Sequence, residues 1–506
     1  MPSRYLTVPL SFAGGTNKNR SRLLNSSNAI NFYTEAQGST SNSQVVLQSF
    51  PGLKVFGAPD DITFKEGGDN GIHRMANEVV YRVVQGRLYK VIQDGTHTFI
   101  NTIEDNATFP NPIEGLVSFS DDGVWLVMVY RSANDGFFKV KAYNTFTEQL
   151  VFVVDPESAI VNAESVSFLN NQFIYTTGRF FFTSDITSPI DVNGLNGAGA
   201  ESYGDDIVRG YVFKQALFLM GKRTVETWFN SGVGNPPFER VEGQILNVGL
   251  GAKFSVANND NFMYFLGDDR RVYASNGSQA DKISNNSITS QIEQFETIDD
   301  AVGFAFSFEN QNFYGITFPT QQKTFCFNET IGADLGWFEL SSSAFFDRDS
   351  KYYNIYKCFS SVEAFGKIIM PGVDSNKLYE LDINTFLNDD EIIRRERTFP
   401  TINGSSLGEV GKRVQMSRFE LIVEKGVGNI SGDGIDPQIM VEFSYDGGRT
   451  FDNATWMKIG RLGQASIKAE CFKIKSFYDL IIKIKCTDPV LYTIISASID
   501  LKAVGR

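Results

Sequence analysis

The residues of this 506-residue chain whose types could do chemistry are few: two histidines, four cysteines and several pairs of adjacent aspartates. Asp205-Asp206, Asp268-Asp269 and Asp389-Asp390 would be raw material for glycoside hydrolysis, which needs two carboxylates facing each other across a bond. Adjacent residues rarely converge in that way, and turns favour Asp because its side chain bonds turn amides, so the pairs read as turns. His73 and His97 fall in loop-like stretches and read as solvated residues rather than as a catalytic base. Cys326, Cys358, Cys471 and Cys486 lie far apart, with no Cys-x-x-Cys pair and no His nearby. Neither zinc nor a disulfide framework is expected of them; they read as small core residues of a reducing compartment. There is no Gly-x-Ser-x-Gly elbow and no phosphate loop ending in Gly-Lys-Ser/Thr. Residues 426–432 come near a dinucleotide fingerprint, but the run is one residue too long and leads into Asp433-Gly434 rather than a helix. No catalytic residue, metal site or cofactor is expected.

One motif has a defined shape. Ser444-Tyr445-Asp446-Gly447-Gly448-Arg449-Thr450-Phe451 fits the Asp-box pattern Ser-x-Asp-x-Gly-x-Thr-aromatic. The Asp446 and Thr450 side chains can satisfy turn amides, and Gly448 permits positive φ. Sialidases carry several such turns together with an arginine cluster and a tyrosine nucleophile. A single copy reads as a structural hairpin turn made by Ser444, Asp446, Gly448, Thr450 and Phe451. A carbohydrate-binding or sialidase-like propeller stays open as the alternative.

The elements that must position these residues are strands. Aromatics reach 13%, led by 44 Phe, and 45 Gly stand against 15 Pro, a balance that favours strands and turns and excludes disorder of the whole chain. A hairpin unit recurs from Asn77, Asp121, Asn170, Lys214, Asp260, Gln311 and Gly366, at intervals of 44 to 55 residues. Each unit is a short apolar strand, a Gly/Asp/Arg turn and a second, aromatic-bearing strand, as in Val79–Val84, Gly86-Arg87 and Leu88–Val91. One hairpin cannot bury its apolar faces alone, so neighbours must stack. That period, with room for two more strands per unit, predicts an all-β fold, a β-propeller of six or seven blades over residues 51–393. The competing fold is a β-sandwich with coincidental spacing. One helix interrupts the pattern, with Ile288, Ile292 and Phe295 as its core stripe and Ser290 with Glu293 as a capping box.

Beyond Arg394 the texture changes. Arg394-Arg395-Glu396-Arg397 and the Gly/Ser stretch 403–408 read as a hinge or exposed linker, which makes Arg394, Arg395 and Arg397 candidates for a polar interface. Residues 394–506 then predict a β-sandwich domain. In Phe472-Lys473-Ile474-Lys475 and Ile482-Lys483-Ile484-Lys485 the alternation puts lysines on one face and apolar groups on the other, half buried. Residues 1–50, rich in Asn, Ser, Gly and Gln without periodicity, read as an extended N-terminal arm, ordered when another surface holds it. No apolar core follows the early Arg4, so no signal peptide is expected, and no apolar run approaches the roughly 18 residues of a membrane helix. The net charge is −13; residues 394–506 hold 17 basic against 13 acidic, +4, which leaves −17 for the rest. An acidic body argues against ordinary duplex binding, which needs a basic face.

Several strings, taken in order, resemble one family. They are Ser49-Phe50-Pro51-Gly52-Leu53, Tyr81-Arg82-Val83 with Gly86-Arg87-Leu88-Tyr89, and Gly221-Lys222-Arg223-Thr224-Val225-Glu226-Thr227-Trp228. Further on come Pro237-Phe238-Glu239-Arg240-Val241-Glu242-Gly243, Lys377-Leu378-Tyr379-Glu380-Leu381, and Arg394–Thr398 with Asp436-Pro437-Gln438 and the Asp-box-like turn. The chain is similar to the packaged-DNA stabilisation proteins of short-tailed bacteriophages, the tail hub or nozzle proteins. The resemblance implies a non-enzymatic virion protein, assembled in the host cytoplasm. It implies a homo-oligomeric ring, typically a hexamer, below the portal and its adaptor, with tail needle, plug or fibre proteins beneath. Such a ring closes the filled head, retains the DNA and gives double-stranded DNA a channel of exit without base-specific contact. An acidic lining would keep the duplex from sticking, and Asp205, Asp206, Asp268 and Asp269 are the candidate lining residues.

Overall fold

The computed structural model describes residues 5–18, 26–37, 45–62, 69–105, 111–153, 160, 162–200, 204–342, 355–373 and 375–504. Seven four-stranded antiparallel blades follow one another along the chain. They span residues 69–102, 113–152, 165–199, 207–246, 257–282 and 302–340, with the seventh taking three strands from 362–382. The first strand of each of blades 1, 2 and 3 packs against the first strand of the next blade, as do those of blades 5 and 6. The first strand of blade 7 returns to that of blade 1, so the blades form a closed ring. The protein is a seven-bladed β-propeller.

Each recurring hairpin of the sequence is the middle pair of strands of one blade, as with Val80–Val84 and Arg87–Val91 in blade 1. These strands are covered on both faces by neighbouring blades, which is why Val80–Val84 is a continuous apolar run with one arginine and is buried throughout. Two-residue turns with both residues left-handed join many of the strands: Asn170-Asn171, Lys214-Gln215 and Glu309-Asn310 take φ between 46° and 63°. Turns of this kind match the twist of the strands they connect. The helix, Asn286–Ile292, lies between blades 5 and 6 and puts Ile288, Ile292 and Phe295 into the core. Its N-cap is Asn285, whose Oδ1 accepts from the Ile288 amide at 2.9 Å, so it starts a turn earlier than a Ser290–Glu293 box would place it. Among the described residues no helix is long and apolar enough to cross a membrane.

The N-terminal segment is woven into the fold. Of the expected arm, residues 1–4, 19–25 and 38–44 lie outside the described residues. Leu6–Leu10 pairs with Thr493–Ala503, and the hairpin of Phe32–Ala36 with Val45–Ser49 joins the same sheet. Ser26–Ile30 is inserted between the last strand of blade 6, Trp337–Leu340, and the strand Arg395–Thr398. Gly52–Gly57 supplies the fourth strand of blade 7 by pairing with Leu378–Asp382. Phe50 is the anchor of this strap. It is buried against Tyr33, Phe306, Phe313, Phe338 and Tyr356, mostly edge to face, an arrangement aromatic rings favour.

The C-terminal residues form two packed sheets. One carries Thr493–Ala503, Val414–Val423 and the edge strand Ala469–Phe477; the other carries Arg395–Thr398, Asp479–Cys486, Gln438–Ser444 and Thr455–Lys458. Phe419, Leu421, Val441, Phe443, Ile482 and Ile484 fill the space between them. Because Ser26–Ile30 bridges the two, the second sheet is continuous with blade 6, and Arg395–Thr398 is an interior strand rather than a hinge. All four cysteines are buried thiols.

In the strand Asp479–Cys486 the alternation runs as expected, with Ile482 and Ile484 buried and Lys483 and Lys485 paired to Glu442. In Ala469–Phe477 it is reversed. Phe472 and Ile474 face solvent at 71% and 73% exposure. Lys473 and Lys475 lie along the sandwich rim, their ammonium groups 4.7 Å from the Phe443 ring centre and 3.8 Å from that of Tyr445. Ring faces attract the ammonium groups, and Asp452 pairs with Lys473, so the lysines take the rim and the apolar pair points outward.

Candidate functional site

The Asp-box-like turn closes the hairpin between Gln438–Ser444 and Thr455–Lys458. Asp446 Oδ1 accepts from the Arg449 amide at 2.9 Å and the Ser444 hydroxyl at 2.7 Å, and Oδ2 accepts from the Thr450 hydroxyl at 2.6 Å. Those bonds, the Thr450 hydroxyl and amide foremost, hold the Asp446 carboxyl far below the usual range. The Gly448 amide donates to Ser444 Oγ, and Lys483 Nζ lies 3.7 Å from the centre of the Phe451 ring. Every bond of Asp446 goes to its own turn, so the carboxylate organises backbone.

The acidic pairs Asp205-Asp206 and Asp268-Asp269 fall in one cluster between blades 4 and 5. Asp205 Oδ2 accepts from the Arg223 amide and Asp268 Oδ1 from the Gly249 amide. Asp206 pairs with Lys222 at 2.7 Å and Asp269 with Arg271 at 3.1 Å. Asp389, from the third pair, pairs with Lys377 at 2.6 Å. Neighbouring cations and turn amides therefore meet these acids within the chain.

The three arginines do not share a surface. Arg394 is half-buried, but Arg395 and Arg397 lie in the interior at 0% and 1% exposure. Their guanidinium groups reach main-chain carbonyls only at long range, Arg395 to Phe386 at 3.3 Å and Arg397 to Gly15 at 3.4 Å. Burial lowers both to about 10. Side chains enclosed between Ser26–Ile30 and Asp479–Cys486 cannot dock a partner from that position, which corrects their reading as exposed interface residues.

Of the histidines, His73 is bonded to Asp121 at 2.7 Å and stacked on Phe119, beside the propeller axis. His97 belongs to the closure between blades 7 and 1. There Arg82, fully buried, forms a salt bridge with Asp69 and donates to the Asn376 carbonyl of blade 7 at 2.8 Å. Arg82 Nη1 also lies 3.2 Å from His97 Nε2, an acceptor when Nδ1 carries the proton toward the Gly95 carbonyl. Burial, and next the Arg82 charge, lower His97 to about 4. Gly57 and Gly95 meet at the same seam, where a Cβ on Gly57 would fall 2.0 Å from the Gly95 oxygen.

Two features escaped the sequence patterns. One is the outward apolar pair on the edge strand Ala469–Phe477. The other is an axial cavity of about 280 Å³ lined by the innermost strands of the blades, among them those bearing Ile72, Val117, Arg209 and Val302. Its volume suits a small molecule. A space of that volume is far too small to hold a stretch of duplex. Among the described residues, no group of three or more His, Cys, Asp or Glu is placed to hold a metal ion.

Comparison with known proteins follows the same lines. The family model for phage stabilisation proteins, described as bacteriophage P22 Gp10, beta-propeller, matches residues 7–386. No curated protein matches the sequence. Among solved structures, the extracellular domain of a one-component system from B. thetaiotaomicron is similar with a TM-score of 0.41 and 10% identity. That match covers 83% of this chain and 49% of the other, so the chain spans about half the length of that protein.

Proposed function

The chain belongs to the phage stabilisation family of β-propeller proteins, and from that membership we propose that copies of it form a ring, a hexamer, that closes the DNA-filled head of a short-tailed phage. Each copy sits below the portal and its adaptor and carries needle, plug or fibre proteins beneath it. The ring's lumen is the path by which the duplex leaves. The protein acts as a structural part of the virion, joined to its partners in the host cytoplasm, and performs no bond chemistry.

The observation that carries this reading is the outward apolar face of the sandwich's edge strand. Among the described residues Ala469–Phe477 makes ladder hydrogen bonds with Val414–Val423 alone, has Thr455–Lys458 of the other sheet beside it, and presents Phe472 and Ile474 to solvent with Tyr478 nearby at 60% exposure. A strand face that holds aromatic and aliphatic groups out in water is suited to association. Charge supports a neighbouring copy as the occupant, since a +4 C-terminal region would be steered toward a −17 body. The narrow propeller axis favours a lumen between subunits over one through each subunit. Asp205, Asp206, Asp268 and Asp269 are our candidates to face it. A basic wall would release counterions and hold the duplex, whereas carboxylates repel phosphates within the roughly 8 Å over which salt leaves charge unscreened.

Sedimentation of the full chain, alone and with adaptor-bearing heads, tests the proposal. A hexamer-sized species is expected, and Phe472→Asp with Ile474→Asp should return it to a folded monomer that no longer closes heads. A chain that stays monomeric at all concentrations and does not bind heads would overturn the reading. Lysine at the four aspartates should slow DNA release at low salt; unchanged release would remove them from the lumen.

A further inference from the structure

The innermost strand of blade 4, Ile207–Phe213, carries Arg209 to the wall of the axial cavity. Its guanidinium carbon lies 5.2 Å from the Tyr211 ring centre and 5.5 Å from that of Phe254, and Nη1 donates to the Lys253 carbonyl at 3.0 Å. The Lys253 ammonium lies 4.6 Å from the Phe138 ring centre and 5.6 Å from that of Phe254. Among the described residues neither cation has a carboxylate at ion-pair distance.

The polar groups around them are already engaged. Asp121 Oδ2 bonds His73, and its Oδ1 accepts from the Ala76 and Gly123 amides. The Tyr211 hydroxyl donates to Asn258 Oδ1, and the Ser361 hydroxyl to the Ala305 carbonyl. Two neighbouring half-buried cations without a carboxylate partner are costly, and ring faces offset only part of that cost. The effect shows on Lys253, which burial pushes down to about 8, with Glu164 opposing and Arg209 assisting. Burial lowers Arg209 as well.

An anion seated beside the pair would relieve this. A guanidinium offers a planar fork that matches a carboxylate, and the wall adds Val256, Val302 and Phe304 as apolar surface for a ligand body. We propose that the propeller axis is a binding site for a small organic carboxylate with a compact apolar body. Arg209 holds the carboxylate, Lys253, which stands next to Arg209 but does not line the cavity, adds charge through space, and the aliphatic and aromatic wall holds the body. The site is separate from the sandwich edge and does not depend on ring formation.

Isothermal titration calorimetry of the full chain tests it with benzoate, the uncharged benzyl alcohol and inorganic phosphate, which brings charge without a body. Benzoate is expected to bind at least tenfold more tightly than either of the others. Arg209→Gln and Lys253→Met should each weaken benzoate at least tenfold while thermal melting stays cooperative. If Arg209→Gln does not fold, Lys253→Met alone carries the comparison. Benzoate binding no tighter than benzyl alcohol, or unchanged in the variants, overturns the proposal. Phosphate binding as tightly as benzoate overturns the assignment of an apolar-bodied ligand.

Discussion

Gly52–Gly57 is the outer strand of blade 7 and Ala469–Phe477 the edge strand of a sandwich sheet, and the chain treats them in opposite ways. Gly52–Gly57 pairs with Leu378–Asp382 along one side, meets Asn388 on the other, and ends in backbone contact with Gly95 of blade 1. Around it Arg82 ties blade 1 to blade 7 with its charge matched by Asp69. Ala469–Phe477 has one hydrogen-bonded side, Thr455–Lys458 beside it without a ladder, and two large apolar groups in water. A ring of blades that closes within one chain satisfies its own edges, so the propeller needs no partner to be complete. The sandwich stops short of that, which is why surfaces for assembly are to be sought on it.

The contrast breaks first at the closure. Arg82→Met should destabilise the protein by about 3–5 kcal/mol, because it strands Asp69 in the interior. Chemical denaturation that shows less than about 1 kcal/mol would mean that the strap, not the buried pair, holds the ring shut.

The same seam should respond to mild acid. With His97 at about 4 in the fold and near 6.5 when unfolded, the unfolded chain takes up the proton first as pH falls. Stability is therefore lost between pH 6.5 and 4, by an amount on the order of 3 kcal/mol. Denaturation curves of His97→Asn across that window should lack this slope; an unchanged slope would place its origin elsewhere.

A smaller effect is expected where the strap crosses from propeller to sandwich. Burial alone would raise Glu339, but Lys18, then Lys323, outweigh it and hold the carboxyl at about 2. Its stabilisation is present above about pH 4.5 and is lost as pH falls through 2. Lys18→Met should cost about 1 kcal/mol or less at pH 7 and move the acid loss to higher pH, read from melting temperature against pH.

The smallest change in stability is expected at the sandwich's edge strand. Phe472→Asp with Ile474→Asp should alter monomer stability by no more than about 0.5 kcal/mol, while abolishing self-association. A large loss of stability there would show that the edge is part of the monomer's core, and the contrast between the two strands would fail.

Several strings that carried the family resemblance turn out to be parts of the closure. Phe50, Gly52 and Leu53 anchor and start the strap, Arg82 is the clamp, and Leu378–Leu381 is where the strap pairs. The Asp-box-like turn was legible because all its bonds lie within seven residues, Ser444 to Thr450. The axial site was not legible. Arg209 stands in an ordinary strand and Lys253 in the stretch before blade 5, 44 residues later, and only the stacking of blade 5 against blade 4 makes them neighbours.

The sequence by itself determined the local units: the middle hairpin of each of the seven blades, their two-residue turns and the strand character of the C-terminal region. These rest on turn chemistry and on apolar runs a few residues long, which act wherever the chain is placed. Tertiary structure alone decided which side of a strand is inside. Arg395-Glu396-Arg397 looks like solvent-facing polarity and is interior because Ser26–Ile30, almost 370 residues earlier, covers it. Phe472-Lys473-Ile474-Lys475 looks like a buried face and is turned out because the rings of Phe443 and Tyr445 take the lysine ammonium groups. An alternation of period two marks two faces and says nothing of what will cover either one; that is set by strands distant in sequence.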